Sequence, residues 1–270
     1  MATTNNDITQ KKYKKLSIQV ALNGLSFCVF DLITHTISHS NTITFPKNQI
    51  IEEQLWKVFV DYPILNDSYD QVMIIHDNNL NTFVPNSLFD ANFLGSYLQY
   101  NVKVFDTDLF AYDSLENYSL QNVHVPYVNI NNFFLDQYPT FDYQNSNTIL
   151  VNKLLVNSNF TDEKQVYIHV QDGHFELVVL KNKELIFYNS FEYQTPEDFI
   201  YYVLFTFEQL QLNPETTTVQ LLGAIQENDV YFSIAYTYIR NCQLLDVSQL
   251  ETKLNINAAT IRKNFILYQS

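Results

Sequence analysis

Two histidines and an aspartate surround a predicted tight turn at Asp172-Gly173. His169 precedes this turn and His174 follows it, so the two imidazoles could meet across a hairpin. Together with Asp172 they could bind a metal ion or exchange protons with a substrate, as in a small-molecule hydrolase. Histidines beside a turn are more often polar surface residues, and this is the competing interpretation of the cluster.

Two further histidine positions could carry chemistry. His35 and His39 are four residues apart, which would suit a metal ion if the segment were helical. Its Thr and Ile content predicts a strand instead, where the two side chains lie about 13 Å apart, too far for one ion. His76-Asp77 follows a predicted buried strand, and such strand ends lie near a cleft in many α/β sheets. A turn aspartate beside a histidine is the alternative there, and we predict no metal site.

Three consecutive strands must position the turn at Asp172-Gly173. They are predicted at Gln165–Gln171, His174–Lys181 and Glu184–Phe191. The second hairpin turn is predicted at Lys181-Asn182-Lys183. A helix then begins at Thr195-Pro196-Glu197-Asp198, because Thr is a good N-cap and Pro suits the first helical position. An apolar strand follows at Thr217–Leu222 and ends at Gly223.

The first half of the chain repeats this order. Its three strands, helix and buried strand are predicted at Leu16–Leu22, Leu25–Leu32, His35–Phe45, Ile50–Val60 and Gln71–Ile75. Asn23-Gly24 joins the first two strands and predicts a type I′ turn, which needs positive φ at both positions. Leu16 aligns with Val166 and Val72 with Val219 at nearly the same separation, which indicates a structural duplication. The alternative is that hairpin-plus-helix runs are simply common in α/β proteins.

The pattern between the two units is weaker. Strands are predicted at Thr82–Pro85, Val102–Phe105 and Asn122–Asn129, and helices after Asn86, at Ile130–Gln137 and at Asn145–Val156. We therefore divide the chain into a polar N-terminal tail (1–15), two subdomains (16–160 and 161–247) and a C-terminal segment (248–270). The sequence leaves the placement of this last segment open.

Composition excludes several classes of protein. The 270 residues carry a formal net charge of −14, which repels nucleic-acid phosphates, so we expect no nucleic-acid partner. The chain has only 4 glycines, too few for an enzyme with several glycine-rich phosphate loops. There is no signal-peptide pattern and no apolar run of about 18 residues, which predicts no membrane span. Cys28 and Cys242 lie far apart, and with these features they predict a cytoplasmic protein with buried thiols.

The order of elements resembles a known fold. Two units of three antiparallel strands, a helix and further strands are similar to the actin-like ATPase (ribonuclease-H-like) fold of sugar kinases, heat-shock seventy-kilodalton chaperones and bacterial actin homologues. The segment Thr82–Phe89, TFVPNSLF, also resembles the F-x-x-V-P-x-x-L-F region of a bacterial, largely Bacteroidetes, domain-of-unknown-function family. The resemblance implies an α/β protein of two similar subdomains, each with a mixed sheet flanked by helices.

The resemblance also implies where a nucleotide would bind. The second phosphate loop of the fold resembles D-x-G-G-G-T-F-D and falls on His169 to Glu176. Gln171 and Asp172 replace its first two glycines, and His174 replaces its Thr, while Gly173 matches. These side chains would crowd the backbone that phosphate approaches, and Asp172 adds charge of the wrong sign.

The two remaining loops of the resemblance have changed as well. The first phosphate loop, D-x-G-T-[ST], falls on Ala21 to Leu25, where Asn23 and Gly24 offer no carboxylate to position magnesium. The adenosine loop, G-G-x-S/T, retains Gly223 but continues with Ala224. We therefore expect no cofactor.

The sequence thus predicts a pseudo-ATPase that serves as a binding or scaffold module for a protein partner. The alternative is a divergent nucleotide-binding ATPase or kinase-like enzyme of the same fold, which would need ATP and magnesium. Aromatic side chains concentrate at 201–207 and 231–238. Most are expected to pack against the sheets, and some could form an exposed recognition patch.

Overall fold

The computed structural model describes residues 11–105 and 107–270. In the first half the strands are β1 (Lys14–Ala21), β2 (Gly24–Asp31), β3 (Thr36–Thr44), β4 (Gln71–His76), β5 (Asn81–Pro85), β6 (Ala111–Leu115), β7 (Leu120–His124) and β8 (Asp142–Asn145). The helices there are α1 (Ile51–Asp61), α2 (Leu94–Leu98), α3 (Val128–Gln137) and α4 (Ser146–Asn157). The second half contains β9 (Gln165–Val170), β10 (His174–Lys181), β11 (Glu184–Glu192), α5 (Pro196–Gln209), β12 (Thr218–Gly223), α6 (Val230–Tyr238), β13 (Asn241–Leu244), α7 (Ser248–Leu254), α8 (Ala258–Lys263) and α9 (Phe265–Gln269).

The two large sheets have the same topology. The first has the order β3-β2-β1-β4-β8 and the second β11-β10-β9-β12-β13, and in both the first two hairpins are antiparallel and the remaining pairs parallel. Leu16 pairs with Val72 in the first sheet, and Val166 pairs with Val219 in the second. The residues aligned from the sequence therefore occupy equivalent positions, although a duplication as their origin stays a prediction.

A small antiparallel sheet is inserted between β4 and α3. Its order is β5-β7-β6, and it reaches the second large sheet through β11. The rings of Phe83 and Tyr188 lie 4.8 Å apart, and the Tyr188 hydroxyl donates to Asn81 Oδ1 at 3.0 Å. The insertion therefore connects the two halves of the molecule on one side.

The two large sheets share one hydrophobic core, which we call the central core. It contains side chains of both sheets together with α4 and α9, among them Ile75, Leu150, Leu222 and Phe265. The Cys28 thiol of β2 lies 3.7 Å from the carbonyl oxygen of Leu267 in α9. The sequence could not place the C-terminal segment; its last helix, α9, is thus buried between the halves, whereas most of α7 and α8 is exposed or half-buried. Separate cores lie on the outer faces of the sheets, under α1 and α3 and under α5 and α6.

The predicted start of α5 is confirmed. Thr195 Oγ1 accepts a hydrogen bond from the Asp198 amide at 3.1 Å, and an Asp198 carboxylate oxygen accepts one from the Thr195 amide at 3.0 Å. Pro196 takes the first helical position, as predicted.

The predicted type I′ turn at Asn23-Gly24 is wrong. Leu22 and Asn23 form the turn, and neither they nor Gly24 has a positive φ. Gly24 instead begins β2, where a Cβ atom would lie 2.6 Å from the carbonyl oxygen of Ile43. Close strand packing therefore explains this glycine.

Three other local predictions need correction. Val102–Phe105 is not a strand, and Val102 packs as irregular chain against the small cluster around Leu98. The predicted strand at Asn122–Asn129 ends at His124, because α3 begins at Val128. After Asn86 the first α-helical residue is Leu94.

The predicted N-terminal tail (1–15) overlaps the first strand. Its first ten residues lie outside the described residues, and its last two, Lys14 and Lys15, belong to β1.

Within the described parts of the chain, no helix combines the length and apolar composition that a membrane crossing requires.

Candidate functional site

Two hairpin turns and the end of β4 face one another across a cleft between the large sheets. The cleft contains a small cavity of about 270 Å³ and a large cavity of about 610 Å³. Ala21, Asn23, Asp77, Gln171 and Asp172 line both cavities and so separate them. The predicted site residues that line one or both are Asn23, Gly24, His169, Gln171, Asp172, Gly173, His174 and Ala224.

Asp77 joins the two halves at the centre of this cleft. Its Oδ2 accepts a hydrogen bond of 2.8 Å from Gln19 Nε2 on β1, and its Oδ1 lies 3.5 Å from Gln171 Nε2 in the β9–β10 turn. The Tyr127 hydroxyl donates to the Asp77 backbone carbonyl at 3.3 Å. The carboxylate that follows β4 is therefore held by amides from both halves, an arrangement that we call the Asp77 bridge.

A buried carboxylate lies between the two cleft histidines. Glu176 pairs with His169 across the β9–β10 hairpin, and its Oε2 accepts a 2.8 Å hydrogen bond from His169 Nδ1. Its Oε1 lies 3.2 Å from His174 Nε2, an ion-pair contact without the angles of a good hydrogen bond. Only 1% of the Glu176 side chain is exposed. From the sequence, Glu176 was only the last residue of the second phosphate loop, although hairpin register alone places it opposite His169.

This arrangement shifts two pKa values in opposite directions. Burial alone would lower the pKa of His174, but the contact with Glu176 and its negative charge outweigh burial and raise that pKa to about 9. Burial alone would raise the pKa of Glu176, but the two histidines outweigh it and lower that pKa to about 2. At neutral pH, Glu176 is therefore ionised and His174 carries a positive charge.

The hydrolase hypothesis requires His169, Asp172 and His174 to converge on one pocket, and they do not. His169 lines only the small cavity and His174 only the large one. Both histidines turn toward Glu176, while Asp172 lies exposed at the turn. The cluster is an internal ion pair, and the carboxylate that orients it has almost no contact with solvent.

The backbone at the predicted phosphate and adenosine loops is engaged internally. The Ala224 amide donates to the Val170 carbonyl at 2.7 Å, and the Gln171 amide donates to the His174 carbonyl at 2.9 Å. Gly223 has a φ of +91°, and a Cβ atom there would lie 2.2 Å from the Val170 carbonyl oxygen. This glycine is therefore required by the close approach of β12 to β9.

The other candidate histidines, His35, His39 and His76, line neither cavity of the cleft. His76 is fully buried, its Nε2 is 2.8 Å from Asn131 Oδ1, and its Nδ1 accepts from the Tyr127 amide at 3.1 Å. Burial lowers the pKa of His76 to about 4, so the ring is neutral. His35, with a φ of 56°, belongs to the turn before β3, and only His39 is on the strand. No cluster of potential metal ligands occurs in the described parts of the chain.

A buried network of amides was not predicted from the sequence. Asn122 Nδ2 donates to Thr148 Oγ1 at 2.8 Å, and Asn81 Nδ2 donates to Asn122 Oδ1 at 2.9 Å. The backbone N–H of Asn145 donates to Asp113 Oδ2 at 2.9 Å. Burial raises the pKa of Asp113. The network fixes the inserted sheet to the N-terminus of α4. The three polar residues among the five of β7, Gln121, Asn122 and His124, were a possible signal for it.

Comparisons with known proteins agree with this architecture. A family model described as "Protein of unknown function (DUF3822)" matches residues 3–242. A crystal structure from Bacteroides thetaiotaomicron VPI-5482, described as having an actin-like ATPase fold and unknown function, superposes with a TM-score of 0.81 at 21% identity over 92% of this chain and 98% of that chain. The structure of the PilM–PilN type IV pilus biogenesis complex is also similar, with a TM-score of 0.57 at 11% identity over 94% of this chain and 96% of that chain. No curated protein matches the chain. The predicted actin-like ATPase fold is confirmed.

Proposed function

This chain belongs to the family described as Protein of unknown function (DUF3822), and we propose that it is a pseudo-ATPase that binds a protein partner. The Asp77 bridge carries the proposal. Asp77 lies in the wall between the two cavities. Gln19 Nε2 donates to its Oδ2 at 2.8 Å, and Gln171 Nε2 lies 3.5 Å from its Oδ1. A magnesium ion at this place would compete with side-chain amides from both halves of the molecule for the Asp77 carboxylate.

The surroundings of the bridge do not suit a nucleotide triphosphate. The small cavity, about 270 Å³, is at the lower limit of the roughly 300–1,000 Å³ typical of ligand pockets. The large cavity is lined by three carboxylates, of Asp77, Asp172 and Glu192, against the cations of Lys47 and His174. Its excess of negative charge opposes phosphate binding.

Contacts between the halves on both sides of the cleft favour a binding module over an enzyme that opens and closes. The central core spans both large sheets, and the inserted sheet contacts β11 across the other side. A structurally similar protein is described as part of the PilM–PilN type IV pilus biogenesis complex, which supports a role in protein–protein contacts. The two buried free cysteines, Cys28 and Cys242, suit a reducing compartment, and we expect the protein in the cytoplasm.

Titration calorimetry with MgATP tests the proposal, and we expect no binding. A dissociation constant stronger than about 100 μM, a free energy near −5.5 kcal/mol, would overturn it. Thermal unfolding gives an independent measure, because about 5 mM of a ligand with that constant would stabilise the fold by about 2.3 kcal/mol.

Two controls make the titration specific. Magnesium chloride without nucleotide detects binding of the metal ion alone to the cleft carboxylates. The variant Asp77→Asn retains the shape of the side chain but removes its charge. If MgATP binds to the natural protein and this binding disappears in Asp77→Asn, the cleft is a nucleotide site.

A further inference from the structure

Helix α6 exposes an unusual amount of apolar surface. Its nine residues, VYFSIAYTY, include no charged side chain, yet only Ala235 is buried. Val230, Tyr236 and Tyr238 are 57%, 61% and 54% exposed. A helix that is apolar on all sides is normally buried on all sides. The exposed face of α6 therefore has the composition of a contact surface.

The equivalent helix of the first half provides an internal comparison. α3 precedes the edge strand β8 as α6 precedes β13. Its apolar side chains are mostly buried, among them Ile130 and Phe133, whereas Asn129, Asn132 and Asp136 face solvent. This place in the fold is therefore compatible with an ordinary polar surface, so the apolar face is a property of α6 itself.

The neighbouring helix extends the apolar region. α5 packs against α6 and exposes Tyr201 and Phe205, which are 61% and 45% accessible and stack on each other at 6.2 Å. On α6, Phe232 and Tyr236 stack at 6.1 Å. Pre-stacked aromatic side chains lose little conformational freedom when a partner covers them, which suits a contact surface.

We propose that α6 is the contact surface of a symmetric dimer, in which it packs antiparallel against α6 of a second copy. The charges at its two ends support this occupant. Asp229 directly precedes the helix and Arg240 follows it. An antiparallel arrangement around a twofold axis places each Asp229 beside the Arg240 of the other copy.

Asp229 is half-buried, and its Oδ2 accepts a 2.7 Å hydrogen bond from the Gln226 amide, which leaves Oδ1 for a second contact. Arg240 has an intramolecular contact with Glu215 at 4.0 Å, but both side chains are more than 70% exposed. The protein has a net charge of −14, so most pairs of its surfaces repel each other. A helix without charged side chains, with Asp229 at one end and Arg240 at the other, can meet its own copy with less of that repulsion.

Light scattering coupled to size exclusion tests the proposal. We expect the natural protein to show twice the chain mass of 31.7 kDa at micromolar concentration. Tyr236→Lys should raise the dimer dissociation constant by about thirtyfold or more, because central aromatic residues dominate such contacts. The matched control is Leu135→Lys on α3, which changes a side chain of similar exposure, 60%, and should leave the dimer intact.

A charge variant tests the antiparallel arrangement. Arg240→Glu places two carboxylates together at each end of the contact and should weaken the dimer, whereas Lys57→Glu on the exposed face of α1 should not. If the protein is still monomeric at about 100 μM, the proposal is overturned, and α6 would be free for some other partner. A dimer that survives Tyr236→Lys, or one that Leu135→Lys dissociates equally, overturns it as well.

Discussion

The close approach of Gly223 to β9 allows a quantitative prediction for Gly223→Ala. The new Cβ atom would lie 2.2 Å from the oxygen and 2.9 Å from the nitrogen of Val170, so two paired strands must move apart. Overpacking of this kind destabilises by about 1–3 kcal/mol. The φ of +91° adds about 1–2 kcal/mol for a residue with a Cβ atom. We therefore expect Gly223→Ala to lower the free energy of unfolding by about 2–5 kcal/mol.

Gly173→Ala is the matched control. Gly173 also has a positive φ, +80°, but a Cβ atom added there would meet no other atom within 4 Å. This variant should lose only the backbone contribution of about 1–2 kcal/mol. The difference between the two variants, about 2 kcal/mol, measures the contact between β12 and β9.

Urea unfolding followed by circular dichroism gives both free energies. A whole domain is stabilised by about 5–15 kcal/mol, so the expected loss in Gly223→Ala shifts the midpoint clearly. Equal losses in the two variants would refute the reasoning. In that case the approach to Val170 would not explain why glycine stands at position 223, and a role for this residue in binding a ligand would have to be reconsidered.

Three further predictions concern turns and pH. Lys183 has a φ of 61° in the hairpin turn, so Lys183→Gly should raise the free energy of unfolding in urea by about 1 kcal/mol, and a loss would show that the turn is not strained. Burial alone would lower the pKa of His174, but Glu176 outweighs burial and raises it from 6.5 to about 9. The resulting stabilisation, of the order of 3 kcal/mol, should be complete below pH 6.5 and disappear as the pH rises through about 9. His174→Gln should remove this alkaline slope, and a slope that persists would point to another group. Burial lowers the pKa of His76 from 6.5 to about 4, so stability should fall as the pH drops from 6.5 through 4, and His76→Gln should flatten this acid limb.

The order of elements could be predicted because it depends on local signals. The capping residues Thr195 and Asp198 specify the start of α5, and alternating apolar residues specify the strands of both hairpins. The predicted resemblance to a family of unknown function is confirmed. The short strands β6 and β8 were missed, because each pairs along only one edge, and β8 carries mostly polar residues.

The features that the sequence did not reveal depend on contacts between distant residues. Asn23-Gly24 has the composition of a type I′ turn, but the approach of Ile43 decides the role of Gly24. The two positive φ values of such a turn occur instead at Asn182 and Lys183. Asp77 was considered only as a residue near a cleft, because its partners Gln19 and Gln171 are far away in the sequence. The catalytic or binding role of the predicted cleft residues stays a prediction.

The central core has a consequence for the kinetics of folding. Its contacts join residues that are very distant along the chain: Cys28 and Leu267 are separated by 239 positions, and Ser17 and Ser270 by 253. Such contacts must overcome a large loss of chain entropy before they stabilise anything, so they form late and folding is slow. Until α9 arrives, the inner faces of β1 and β2 remain open to water and to other chains. Refolding yield should therefore fall steeply as protein concentration rises, and dilution should restore it.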